Sequence, residues 1–173
     1  MARLTRTARG AVIALVLAAL AAAPSAAAQP TRTVFHHLFP WVLPAGSACA
    51  FDVIAEQVSG FAAKTAFSDG AVVITKDAPT RFTNEQSGAS VVLRSVYRDI
   101  ERFDPATGVI TGSSFGQTPA NFVPGDIGPF GVVTGNGALF NFIGTLKYTY
   151  DTNSNVFRVS YSGTVTDICA LLS

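Results

Sequence analysis

Apolar and polar residues alternate with a period of two along most of this chain. Between 138 and 151, Phe140, Phe142, Leu146, Tyr148 and Tyr150 share one side with Gly144, and Asn141, Thr145, Lys147 and Thr149 lie mostly on the other. Between 156 and 169, Phe157, Val159, Tyr161, Val165 and Cys169 oppose Arg158, Ser160, Ser162, Thr164 and Thr166. Between 49 and 58, Cys49, Phe51, Val53 and Ala55 alternate with Asp52 and Glu56. Successive side chains of a strand point to opposite faces, so this pattern predicts strands with one face on a core. Both cysteines fall on the apolar side.

A second pattern recurs three times. An aromatic strand end is followed by an Asp and then by a Gly or Asn, at 67–70, 103–108 and 150–155, and a run rich in β-branched residues follows each. Asp closes the start of such turns with its carboxylate, and Gly or Asn accepts a positive φ, so three hairpins are expected. The segment 90–103 fits two patterns. Val92, Val96, Ile100 and Phe103 match a helical stripe, but the stretch is also β-branched and runs straight into the second turn; a strand is the preferred reading. The Gly- and Pro-rich run 116–137, with Pro119, Pro124, Gly125, Gly128, Pro129 and Gly131, predicts a long excursion holding one short strand. Together these elements predict an all-β antiparallel meander of about seven to nine strands. A closed barrel is favoured over a two-layer sandwich, because pairing the first and last strands would remove the exposed edges.

The N-terminus has a different pattern. Arg3, Arg6 and Arg9 precede an uninterrupted apolar run over 11–23, then Pro24, Ser25 and the small residues Ala26, Ala27 and Ala28. This is the order of a secretory leader, cleaved after about Ala28, and the run is shorter than a membrane span requires. Without an Arg-Arg pair, the general secretory route is expected. The domain reading is therefore a signal peptide over 1–28, an apolar arm over 29–48 and a single β domain over 49–173.

Removing the leader changes the charge. The remainder keeps 9 of the 12 basic residues against all 11 acidic ones, so the formal net charge moves from +1 to −2. Such a chain lacks the basic face that displaces counterions from nucleic acid, and no membrane span is expected in the mature part. The only cysteines are Cys49 and Cys169. In an oxidising compartment two thiols in one small domain pair, and closing so long a loop contributes roughly 4–5 kcal/mol at most.

Candidate chemistry is sparse. His36 and His37 stand within an apolar stretch with Phe35, Phe39 and Trp41; adjacent side chains of extended chain point apart and no third His exists, so the stretch reads as an interaction surface rather than a metal site. Asp99 and Glu101 would share one strand face as a carboxyl pair, though their Arg98 and Arg102 neighbours suit a solvated strand. Asp126 lies in a Pro- and Gly-flanked loop and reads as a turn former, with a ligand role as the alternative. No nucleophile elbow, dinucleotide fingerprint or lipocalin Gly-x-Trp motif is present, and no cofactor or metal is expected.

The leader, the Cys49-Ala-Phe opening, Phe82-Thr-Asn84 followed by Gly88, the 103–108 hairpin and the Asp-Ile-Cys-Ala-Leu-Leu-Ser ending at 167–173 give the chain a resemblance to small secreted β-domain proteins of actinomycete type. That resemblance implies one exported β domain with terminal cysteines and carries no active site. Two functional expectations follow. One is a secreted non-catalytic binding or surface-interaction protein using the aromatic arm and the long loop. The other is a β-barrel holding a small apolar ligand against Phe140, Phe142 and Tyr148, with isomerisation or cyclisation as its possible chemistry. A close-packed interior favours the first, and a lined cavity of several hundred Å³ with a few converging polar groups favours the second.

Overall fold

The computed structural model describes residues 28–36 and 40–173. Among them run eleven strands, β1 (Thr31–Phe35), β2 (Trp41–Leu43), β3 (Val53–Gln57), β4 (Phe61–Ala66), β5 (Ala71–Asn84), β6 (Ser90–Asp104), β7 (Val109–Phe122), β8 (Ile127–Gly128), β9 (Gly131–Val132), β10 (Ala138–Asp151) and β11 (Val156–Asp167), then a single turn of helix, α1 (Ile168–Leu171). All belong to one mostly antiparallel sheet in the order β1-β4-β5-β6-β7-β10-β11-β8-β9, with β3 on the far half of β5 and β2 beside β3. The segment that could have been helical is strand β6, and its odd-numbered face is the more buried one.

The three expected hairpins are present and work as their residues require. Asp69 Oδ1 accepts from the Ala71 amide, Asp104 Oδ1 from Ala106 and Asp151 Oδ1 from Asn153. Each turn then spends a positive φ on the residue expected to supply it, Gly70, Gly108 or Asn155.

The barrel does not form. The sheet is open, with β1 at one end of its order and β9 at the other. Cys49 and Cys169 are bonded, with their Cα atoms 5.6 Å apart, but Cys49 lies in the bend ahead of β3 and Cys169 lies in α1. A disulfide fixes one pair of points; it imposes no ladder between the strands that carry its neighbours. No helix among the described residues is long and apolar enough to cross a membrane.

The run 116–137 is also more regular than expected. Strand β7 continues through Gly116 and Pro119 to Phe122, and the irregular part holds two short strands rather than one. Pro119 is tolerated because the β6–β7 ladder ends at Val96 opposite Gln117, leaving β7 beyond that point with β10 alone. A missing N–H on the unpaired side costs no ladder bond. Pro79 occupies a similar gap in β5, between the stretch paired with β4, ending at Asp77, and the stretch paired with β3, starting at Thr80.

One feature of the register shapes the interior. Gly116, Gly144 and Gly163 stand opposite one another across β7, β10 and β11, all at φ between 119° and 135°. A Cβ on Gly144 would lie 2.2 Å from the Ser162 carbonyl oxygen, and one on Gly163 2.0 Å from that of Ile143. Only glycine fits, and three in a row crease the sheet. The bend brings Ser114 Oγ within 2.7 Å of Thr118 Oγ1, although four residues of straight strand would span roughly 13 Å.

Beyond the crease β10 is buried on both faces. Leu139 joins a core with Ala48, Cys49, Val53, Ala55, Phe82, Ile168 and Leu172, under the disulfide. Phe140, Phe142 and Leu146 join Phe122 in a second core, with Phe157, Val159 and Val165 of β11 packed against it. The aromatic rings of the second core meet edge-on or tilted at 5.4–6.3 Å.

Candidate functional site

Where the β6–β7 ladder stops, the two halves of the sheet diverge, and a cavity of about 350 Å³ opens between them. Strand β5 supplies its floor from the even-numbered face: Ile74, Lys76, Thr80 and Phe82, beside Tyr97 of β6. Pro119 and Asn121 of β7 and Leu139 of β10 form the opposite wall. The mouth is framed by Phe35, Trp41 and Leu43 of the first two strands and by residues 62–64 of β4. Fourteen residues line the space, and none is acidic.

Lys76 is the unusual member. It is only 6 % exposed, in a row of β5 otherwise made of Ala78, Thr80, Phe82 and Asn84, all buried. Desolvating an ammonium is costly unless it finds partners. Its Nζ donates to Thr80 Oγ1 at 3.0 Å and stands 5.9 Å from the centre of the Trp41 ring, a cation–π contact. Thr80 Oγ1 accepts a second bond from Ser95 Oγ at 3.1 Å. No carboxylate pairs with Lys76 among the described residues, whose ion pairs are Arg81–Glu56 and Arg102–Asp69. Burial pushes the Lys76 pKa below the usual lysine value. Asn121 also faces this space, and its side-chain oxygen is buried without a hydrogen-bond partner.

A second polar cluster lies next along β6. Tyr148 of β10 reaches over β7 to set its hydroxyl 2.8 Å from Asp99 Oδ2 and 2.7 Å from Glu101 Oε1. Gly112 makes this possible, because a Cβ there would lie 2.1 Å from the Tyr148 ring. One phenol proton cannot serve two carboxylates, so the cluster holds fewer protons than it has acceptors. Burial is the chief reason that Asp99 is pushed up to about 6, and the Glu101 charge adds to it, against the Tyr148 hydrogen bond. Tyr148 is driven above the usual tyrosine range by burial and by both carboxylates. Tyr97, which lines the cavity on the same strand face, is raised to about 12 by burial and then by the charges of Asp99 and Glu101, so its hydroxyl stays protonated at neutral pH. Asp99 Oδ1 is buried and unpartnered.

The residues singled out in the sequence fall into separate places. Phe35 and Trp41, on strands β1 and β2, reach the cavity. The His36 carbonyl accepts from Gln57 Nε2 at 3.2 Å, and the residue is exposed. His37 and Phe39 lie outside the described residues, as do residues 1–27, on which most of the expected leader falls. Asp126 is a loop fastener: its carboxylate accepts from the Val123 and Phe157 amides, each at 2.8 Å, and it is almost fully buried. Phe140 and Phe142 fill the second core and do not line the cavity, and Tyr148 serves the carboxyl pair. The cavity-facing side of β10 is instead the side of Leu139, because past the crease this strand is buried on both faces.

Lys76, Thr80, Tyr97 and Asn121 were not singled out from the sequence. Lys76 left one signal there: it is a charge on the even side of β5, among Val72, Ile74, Ala78 and Phe82. Asn121 left none. Comparison of the chain with protein-family models, with curated proteins and with solved structures found no match.

Proposed function

We propose that this protein is an exported, non-catalytic carrier that holds one small, mainly apolar molecule between the diverging halves of its sheet. The observation that carries this reading is the cavity of about 350 Å³ itself, lined from seven strands mostly by apolar side chains and provided with a few polar groups. Its size falls at the lower end of the range of about 300–1,000 Å³ found for small-molecule sites. The carrier reading is preferred to isomerisation or cyclisation because Asp99 and Glu101, the residues suited to moving protons, are not among those lining the cavity. The leader pattern and the disulfide support export to an oxidising compartment.

Trp41 is the only tryptophan of the chain and frames the mouth of the cavity, so its emission reports occupancy directly. The protein would be expressed with its own leader and recovered from the medium, its N-terminus sequenced, and organic extracts analysed by mass spectrometry. Expected are a mature N-terminus near Gln29 and a co-purified small molecule. Adding that molecule back to stripped protein should shift Trp41 emission saturably. Stripped protein that neither carries nor rebinds any apolar molecule would remove the proposal.

A further inference from the structure

We propose that the occupant of the cavity is an amphiphilic organic anion, an apolar body ending in a carboxylate that sets its charge on Lys76. The inference rests on the carrier reading and adds the chemistry of the ligand. Its ground is an imbalance of charge inside the site. A buried ammonium stands in the wall with one hydroxyl and one ring face as its partners, and a second lysine, the exposed Lys64, lines the same space. The lining contains no acidic residue to offset either.

An ammonium carries three donors, and Thr80 Oγ1 takes one. A carboxylate entering between the Trp41 ring and the β5 floor would accept another and neutralise the charge where solvent screening is weakest. The buried, unpartnered side-chain oxygen of Asn121 on the opposite wall accepts only from a donor, so it takes no part in holding the carboxylate, which sits at the Lys76 side. The remaining surface, Phe82, Ile74, Leu139 and Pro119, suits a hydrocarbon or aryl body. Neutral apolar molecules leave the ammonium uncompensated, and cationic ones meet two lysines.

The test compares decanoate with decanol, equal in chain length and different in charge, by Trp41 fluorescence titration and calorimetry on the oxidised protein. Wild-type protein should bind decanoate roughly 10- to 100-fold more tightly than decanol, the effect of one charge-assisted hydrogen bond. Lys76→Met should abolish that preference. The wild-type comparison stands even where the variant fails to fold. Equal binding of acid and alcohol by wild type overturns the anion assignment and leaves the carrier reading intact. A preference that survives in folded Lys76→Met overturns the role of Lys76. Binding of neither probe removes both readings together.

Discussion

Replacing Asp99 by Asn should make the protein more stable at neutral pH and should cancel one limb of its pH dependence. Asp99 is 9 % exposed, and folding raises its pKa from 3.8 to about 6. The folded chain therefore takes up this proton first as the pH falls. The stability it contributes is complete below about pH 3.8 and is lost as the pH rises through 6. Each pKa unit corresponds to about 1.4 kcal/mol, so near pH 7.5 the ionised group costs about 3 kcal/mol relative to an ordinary Asp. Asn cannot ionise, and its amide oxygen can still accept from the Tyr148 hydroxyl. Urea denaturation of wild type and Asp99→Asn across about pH 4 to 8 should show the variant ahead by about 2–3 kcal/mol at the alkaline end, with the gap closing towards the acid end. The hairpin carboxylates Asp69, Asp104 and Asp151 have folded pKa values below 3.8, held down by amide and side-chain hydrogen bonds. Their contributions are lost as the pH falls through those values, beneath the Asp99 window, and they cancel in the difference between the two proteins. A difference that does not change with pH, or that grows towards acid, would refute the account of the Tyr148 cluster.

Other consequences can be measured on the same material. The Cys49→Ala, Cys169→Ala double variant releases a constraint spanning 120 residues and should lose up to about 4–5 kcal/mol in denaturant titrations, with reduction of wild type giving the same midpoint. Gly144→Ala forces a Cβ against the Ser162 carbonyl at a φ of 135° and should cost more than about 2 kcal/mol; thermal unfolding checks this, and an unchanged midpoint would deny the crease. Leu139→Ala and Phe142→Ala should destabilise by about 2–5 kcal/mol each, but only Leu139→Ala should alter Trp41-detected ligand binding, since the cavity lies on the Leu139 side of β10.

Local rules carried much of the fold. Alternation announced strands β3, β10 and β11, and the Asp, Gly and Asn residues of the 67–70, 103–108 and 150–155 turns announced their hairpins, because a turn is decided by the few residues inside it. The leader-like pattern of the N-terminus and the cysteine count together pointed to the disulfide. Proline in β7 misled, because whether a missing N–H matters depends on whether a neighbouring strand stands there, and strand neighbours are a matter of register between distant segments.

The sequence by itself thus determined which residues alternate, where the chain turns, and that Cys49 and Cys169 are its only possible bridge. The tertiary structure alone decided that the sheet stays open, that Gly116, Gly144 and Gly163 align into a crease, and that β10 is buried on both sides. It also decided the candidate site. Lys76, Tyr97, Asn121 and Trp41 are far apart in the chain and carry no shared spacing, and they meet only because one ladder ends at Val96 opposite Gln117 while its neighbours continue. Periodicity records which face a side chain takes; it holds no information about what the facing sheet brings to meet it.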